Sequence, residues 1–341
     1  MKIDNREIGP NFSPFIIAEI GINHEGNIDK AIKMIDDASQ TGCDCVKFQT
    51  HVINDEMIPN NVIPGNAEES IWDIMNRCAL TEDEDKQLFD YTKSKGLIYL
   101  STPFSRAASI RLEKMGVSAY KIGSGECNNY PLIKHIAGYR KPIILSTGMN
   151  DIESIKPAVK IMEKANIEYA LLHCTSMYPT PYDKVRLGGI NDLTKNFPNA
   201  IIGLSDHSIG NYTSFAGVAL GASIIEKHFT SDKYWDGPDI PISVDPIELK
   251  DLVIGAKAVQ LAKGGCKEII KEEQPTIDFA YASVVSIKDI KKGEKFNHQN
   301  IWVKRPGTGE IKAKDYEKII NKIATKNINK DKQISWRDIQ D

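Results

Sequence analysis

Eight short apolar runs, each ending in polar residues, recur along the chain and constrain its fold more than any other feature. They are "FIIAE" (15–19), "CVKFQ" (45–49), "LIYLS" (97–101), "AYKIG" (119–123), "PIILS" (142–146), "YALLHC" (169–174), "AIIGLS" (200–205) and "SIIEKHF" (223–229). Continuous apolar runs of this length fit strands buried on both faces, as in a parallel sheet. Parallel strands need crossovers, and helix patterns stand between the runs. Asn27 caps "IDKAIKMIDDASQ", in which Ile28, Ala31, Ile32, Ile35 and Ala38 share one face and Gly42 follows the end. Thr81 and Glu84 form a capping box ahead of "EDEDKQLFDYTKSK", which Gly96 closes. "DIESIKPAVKIMEKA" follows the fifth run, with Pro157 expected in its first turn, and "DPIELKDLVIGAKAVQLAKGG" follows the eighth. Eight strand–helix units over roughly 250 residues point to a (β/α)8 TIM barrel. An open doubly wound sheet is the alternative, disfavoured because no G-x-G-x-x-G follows the first run.

The barrel pattern covers residues 1–264. Residues 265–279 are charged, contain Pro275, and read as a linker. From 280 to 341 the pattern turns to short strands with "KKGE" and "PGTG" turns, a small mostly-β domain. Of the 341 residues, 41% are hydrophobic and 26% charged, as in soluble globular proteins. A net charge of -3 leaves no polybasic field for nucleic acid. "MKIDNREIGP" has no apolar core of a signal peptide, and the longest uncharged stretch, Ser208 to Ile225, is too rich in Gly, Ser, Thr and Asn for a membrane span. Six cysteines without a C-x-x-C pair fit a reducing cytoplasm, the expected location.

In a barrel of this kind the chemistry lies at the C-terminal ends of the strands. Those ends read "EIGINHEG", "KFQTH", "STPFS", "KIGSGE", "STGM", "HCTSMYPTP", "SDH" and "EKHF". Lys47, Thr102, Lys121, Ser124, Ser146, Ser176 and Ser205 offer two ammonium groups and several hydroxyls, and glycines 123, 125 and 148 allow close backbone approach. This collection suits a phosphate dianion, although each Ser alone could be a turn or cap. His207 and His228 end the seventh and eighth runs. Adjacent strand ends lie about 5 Å apart, close enough for both imidazoles to meet one divalent ion such as Mn2+. They could equally be unrelated polar residues. Glu25 and Asp239 are candidate proton-transfer groups if desolvated, and Tyr178 could bond a substrate hydroxyl or pack its loop.

The motifs "AEIGINHEG", "KFQTH", "VIPGN", "STPFSRAA", "YKIGSGECNNYPLI", "ILSTGM", "LLHCTSMYPTPY", "GLSDHS", "EKHFT", "GPDI" and "VKRPGTG" resemble the N-acetylneuraminate (sialic acid) synthase family, over about residues 15 to 335. The terminal unit resembles the antifreeze-like domain which that family appends to its barrel. The resemblance implies condensation of phosphoenolpyruvate with the open-chain aldehyde of N-acetylmannosamine and water, with C–O cleavage of the enol phosphate. It implies a divalent ion, typically Mn2+ with Mg2+ or Co2+ as substitutes, held by His207 and His228. Lys47, Thr102, Lys121, Ser124, Ser146 and Ser205 match phosphoenolpyruvate contacts; Ser176 departs from the pattern, standing where relatives often have Asn, and its expected phosphate contact is shorter or water-mediated. Glu25, Gln49, Asn66, Tyr178 and Asp239 match positions near the acceptor sugar, with Glu25 the expected proton relay. Arg305 matches an arginine that reaches the partner's barrel in a domain-swapped homodimer, and Phe279 would help line that pocket. Phe48 stands where several relatives have His, so a histidine there is dispensable for chemistry.

Legionaminate and pseudaminate synthases share this barrel and take diacetamido-trideoxyhexose acceptors. "IPGN", "CALTEDE" and "GECNNYPLI" favour the sialic-acid branch. A metal-dependent barrel hydrolase would show an H-x-H pair at the first strand, where this chain has only His24. A non-catalytic carbohydrate- or ice-binding protein would leave the polar strand ends unexplained.

Overall fold

All eight apolar runs form strands in the computed structural model, which describes residues 1–341. They are β1 (Phe15–Gly21), β2 (Cys45–Thr50), β3 (Ile98–Pro103), β4 (Tyr120–Ile122), β5 (Ile143–Ser146), β6 (Tyr169–Cys174), β7 (Ile201–Asp206) and β8 (Ile224–His228). Neighbours in the order β3-β2-β1-β8-β7-β6-β5-β4 pair in parallel. The two ends of that order, β3 and β4, pack side by side and close the barrel. The crossover helices are α1 (Ile28–Ser39), α2 (Glu82–Ser94), α3 (Arg106–Met115), α4 (Tyr130–Ala137), α5 (Ile152–Lys164), α6 (Gly188–Asn196), α7 (Tyr212–Ala219) and α8 (Pro246–Ala262).

Local signals set the helix starts. The Asn27 side chain accepts from Lys30 N–H, and Thr81 with Glu84 makes the reciprocal capping box. Pro157 departs from expectation. Asp151 and Ser154 cap α5, so the helix begins at Ile152 and Pro157 falls in its second turn. There it removes a backbone donor that the first turn would not have used.

Strand alternation separates stability from chemistry. The lower interior is apolar, filled by Phe15, Ile17, Leu100, Ile144, Leu172 and Ile224. A short antiparallel hairpin, Lys2–Ile3 with Arg6–Glu7, packs Ile3 against this cluster. The opposite strand faces, such as Ile16, Ala18, Val46 and Phe48, join the helices in the main core. Phe48 is fully buried there and stacks on Tyr99 with ring centroids 5.6 Å apart. It therefore points away from the face that carries Lys47, its neighbour in sequence.

The chain divides into two compact units, Met1–Gly264 and Gly265–Asp341. In the smaller unit Ser283–Ser286 pairs antiparallel with Ile301–Lys304, and Ile323–Ala324 with Ile339–Gln340. Val284, Ile290, Phe296, Ile301 and Ile319 form its own core. The stretch expected to be a linker is structured in part. Gln274–Ala280 forms a helix with Pro275 in its first turn, where the missing N–H costs no hydrogen bond. No helix is long and apolar enough to cross a membrane.

Candidate active site

The polar ends of the barrel strands line one cavity of about 370 Å³. Its floor is a cluster of four buried charges. Lys47 Nζ lies 2.6 Å from Glu19 Oε2 and 3.8 Å from Glu226 Oε2, and Lys121 Nζ lies 3.5 Å from Glu226 Oε1. Hydroxyls complete the coordination. Lys47 donates to Thr102 Oγ1 at 3.1 Å, Lys121 to Ser146 Oγ at 2.7 Å, and Ser205 Oγ to Glu226 Oε1 at 3.0 Å.

The environment drives the two carboxyl groups apart. Burial pushes Glu19 up to about 7, against the pull of Lys47 and with the help of Glu226. Burial also opposes ionisation of Glu226, but Lys121 and Lys47 outweigh it and hold that carboxyl below its usual range. Burial lowers Lys121, whereas Glu19 and Glu226 overcome burial at Lys47 and raise it. Two carboxyls with separated affinities for a proton are the arrangement acid–base chemistry needs near neutral pH.

Beside the lysines, Ser124 and Ser176 also line the cavity, and Ser176 Oγ is buried with no hydrogen-bond partner in the chain. Gly148 N–H donates to Ser124 Oγ at 3.0 Å. A Cβ at Gly148 would collide with Ser176 Oγ and lie 2.8 Å from Ser124 Oγ. The glycine thus keeps open a cradle of hydroxyls next to two cations, a setting suited to an anion.

His207 and His228 face the same cavity, with ring centroids 5.4 Å apart. His207 Nδ1 lies 2.9 Å from the Thr175 carbonyl, so that nitrogen donates, and in the neutral ring Nε2 carries the lone pair. His228 Nδ1 is buried with no hydrogen-bond partner, 3.7 Å from Asp239 Oδ2. Burial, aided by His207, pushes His228 well below its usual range and keeps it neutral. Burial raises Asp239 to about 6. No group of three or more His, Cys, Asp or Glu side chains is arranged to hold an ion. Two imidazoles, one with an orphaned nitrogen, fit a site that leaves its other positions to water and substrate. Tyr178 stacks on His207 at 4.2 Å and meets His228 edge-on at 5.9 Å.

Gln49 and Asn66 line the rest of the cavity, beside an apolar wall that includes Ile22, Ile71, Ile74 and Met75. Gln49 Nε2 donates to Glu19 Oε1 at 3.3 Å, and Asn66 Nδ2 to the Pro238 carbonyl at 3.2 Å. Of the residues expected to bind substrate or metal or to transfer protons, all line this cavity except Glu25, Phe279 and Arg305. Glu25 pairs with Arg77 and lines a neighbouring depression that shares Asn66 and Pro238. Phe279 is exposed on the Gln274–Ala280 helix, and Arg305 lines a shallow surface pocket of the smaller unit with Thr308 and Gln333.

Comparison with known proteins agrees with this geometry. Residues 34–268 match the NeuB family, and residues 281–340 match the SAF domain. The chain belongs to the NeuB family. An N,N'-diacetyllegionaminic acid synthase of Campylobacter jejuni is 40% identical, across 94% of this chain and 98% of its own length. The N-acetylneuraminate-9-phosphate synthase of Mus musculus is 32% identical, across 93% of this chain and 89% of its own. The crystal structure of an N-acetylneuraminic acid synthetase from Leptospira borgpetersenii serovar Hardjo-bovis has a TM-score of 0.74 and 32% identity, covering 81% of this chain and 94% of that one. The NeuB-family chain is thus an enzyme, a transferase of sugar-acid synthesis. Relatives from both the sialic and the legionaminic branch match nearly its whole length, so the preference read from "IPGN" and "GECNNYPLI" is not singled out by them.

The sequence reading of this NeuB-family site missed Glu19, Glu226 and Cys174, all in the cavity lining. The signal was present for the two acids. Glu19 is a lone carboxylate inside an otherwise apolar strand, and Glu226 follows two isoleucines on a strand buried along its whole length, placements that water-exposed acids rarely take. His24, behind the first strand end, is 1% exposed, and its Nδ1 accepts from Gly26 N–H at 3.0 Å. Burial first, then His51, pushes it down to about 4 from the ordinary 6.5. The unfolded chain therefore binds a proton between pH 6.5 and 4 that the folded chain refuses, so stability falls as pH drops through that window. Thermal midpoints measured from pH 7 to pH 4 should decline less steeply in His24→Asn; equal slopes would remove His24 as a source of acid lability.

Proposed function

We propose that this NeuB-family enzyme is a sialic acid synthase. It condenses phosphoenolpyruvate with N-acetylmannosamine and water to give N-acetylneuraminate and phosphate. The observation that carries this reading is the pair of buried lysines set among hydroxyls, facing two imidazoles and Asp239 across one cavity. Lys47 and Lys121, with Ser124, Ser146, Ser176, Ser205 and Thr102, would hold the phosphate and carboxylate of phosphoenolpyruvate. Gln49, Asn66, Tyr178 and Asp239 would orient the acceptor sugar. His207 and His228 would hold a divalent ion, Mn2+ or a substitute such as Mg2+ or Co2+, which when bound supplies Lewis acidity at the aldehyde oxygen.

In this reading C3 of phosphoenolpyruvate attacks the aldehyde carbon, the new alkoxide takes a proton, and C2 becomes an oxocarbenium. Water adds to C2 and loses a proton, and the C–O bond to phosphate then breaks as the C2 hydroxyl passes its proton to the departing phosphate, leaving the C2 ketone. Glu19, raised to about 7 and hydrogen-bonded to Gln49, is better placed than Glu25 to give the first proton and accept the second. The two lysines neutralise the substrate's negative charge throughout.

A second reading, a legionaminate synthase, is favoured by the apolar wall of Ile22, Ile71, Ile74 and Met75, which suits the methyl group of a trideoxy sugar. Purified protein should release phosphate from phosphoenolpyruvate only with both Mn2+ and N-acetylmannosamine. Metal-independent or acceptor-independent release would refute the synthase reading. Faster turnover with a 2,4-diacetamido-trideoxyhexose would move the enzyme to the second branch. Glu19→Gln should lower kcat by about 10²-fold or more, and Glu25→Gln by less than tenfold; the reverse order would return the proton relay to Glu25. For assembly, we propose the homodimer in which Arg305 and Phe279 serve the partner's acceptor site. Arg305→Ala should impair acceptor use with Mn2+ binding intact. Mixing Arg305→Ala with His207→Ala chains should recover activity, and none in verified mixed dimers would exclude a shared site.

A further inference from the structure

Directly behind the two histidines lies a charge pair that the proposed chemistry does not use. Asp206 and Lys227 immediately precede His207 and His228, and they face each other in the β7–β8 register. Side chains alternate along a strand, so both lie on the face opposite to the cavity residues, and neither lines the cavity. Lys227 Nζ is 3.1 Å from Asp206 Oδ2, and the two side chains are completely buried. The carboxylate is saturated. Thr213 and Ser214, in the first turn of α7, donate to Oδ2 at 2.6 and 2.7 Å, and Ser208 N–H donates to Oδ1 at 2.9 Å. Lys227 also donates to the Ser208 carbonyl, and Ser208 Oγ lies 2.6 Å from Thr213 Oγ1.

Stability alone is a poor reason for such a pair. Burying two charges is costly, and apolar residues of similar volume are commonly as stable. Its location suggests another role. Asp206 and Lys227 are the last matched positions of the β7–β8 ladder, so His207 lies just past it and His228 ends β8. Past that point each histidine has its own anchors, Thr175 and Thr180 for His207 and Glu19 and Val244 for His228, and the direct tie between the two strand ends is the one joining residues 206–208 to residue 227. Lys227 grips both sides of His207, through the Asp206 carboxylate before it and the Ser208 carbonyl after it.

We infer that the Asp206–Lys227 pair is a positioning clamp that sets the spacing of the His207 and His228 imidazoles for a divalent cation. The inference rests on the two-histidine reading above. Asp206 and Lys227 are positioning residues, since they act through the histidines and touch nothing in the cavity.

The test is Mn2+ binding to metal-free protein, followed by electron paramagnetic resonance of free Mn2+, alongside thermal unfolding. Lys227→Met should weaken Mn2+ binding tenfold or more, the range seen when groups supporting metal ligands are removed. Lys227→Arg, able to keep both contacts, should stay within threefold. The decisive variant is the double exchange Asp206→Leu with Lys227→Met, which leaves no unpaired buried charge. It should regain thermal stability lost in Lys227→Met yet still bind Mn2+ tenfold more weakly. Binding within threefold of the unaltered protein would overturn the clamp, and so would a double variant that fails to fold, because the pair would then serve the barrel itself. If the unaltered protein binds no Mn2+, the two-histidine reading fails first and takes the clamp with it.

Discussion

Burial of four charges on the barrel floor is the constraint on which the rest of the site depends. Lys47 and Lys121 sit where water is excluded, and isolated ammonium groups there would lose their protons. Glu19 and Glu226 keep them ionised, at the cost of leaving one carboxyl near 7 and the other low. A dianionic substrate meeting this floor finds cations already in place and hydroxyls already aimed, so little reorganisation is needed. The same balance makes Glu19 a proton carrier. One cluster thus supplies both anion recognition and acid–base capacity.

The barrel supports this by dividing each strand between two tasks. Inward positions change from apolar to polar along the strand, from Ile17 to Glu19 on β1 and from Ile224 to Glu226 and His228 on β8. Outward positions are mainly apolar and bind the helices, with a few neutral polar groups such as Thr50, Ser101 and His173 among them. Asp206 and Lys227 differ in being an ion pair there, on two adjacent strands and one residue before each histidine. An exception so placed is more informative than an exception elsewhere, because precise ligand spacing cannot come from non-directional apolar packing alone.

The fold was largely legible in the chain. Runs such as "YALLHC" and "SIIEKHF" carry strand signals strong enough to survive without context, and Asn27 and Thr81 announce their helices through cap chemistry that acts over three residues. Pro157 was misplaced because the cap at Asp151, not the proline, sets the start of α5. The helix at Gln274–Ala280 was read as a linker because its charge and its proline are equally at home in a first turn.

The sequence by itself determined eight strands, their order, and which residue types crowd their C-terminal ends, since periodicity and capping are local properties. Only the tertiary structure decided which of those residues meet. Closing the barrel brings Glu19 on the first strand against Lys47 on the second and within reach of Glu226 on the eighth, a convergence no spacing along the chain encodes. It also turns Glu25 toward Arg77, beside the central cavity, and Phe48 toward the helices. The reason is geometric. Which face a strand residue presents follows from its parity, but which charges share that face follows from how eight strands wrap into a ring.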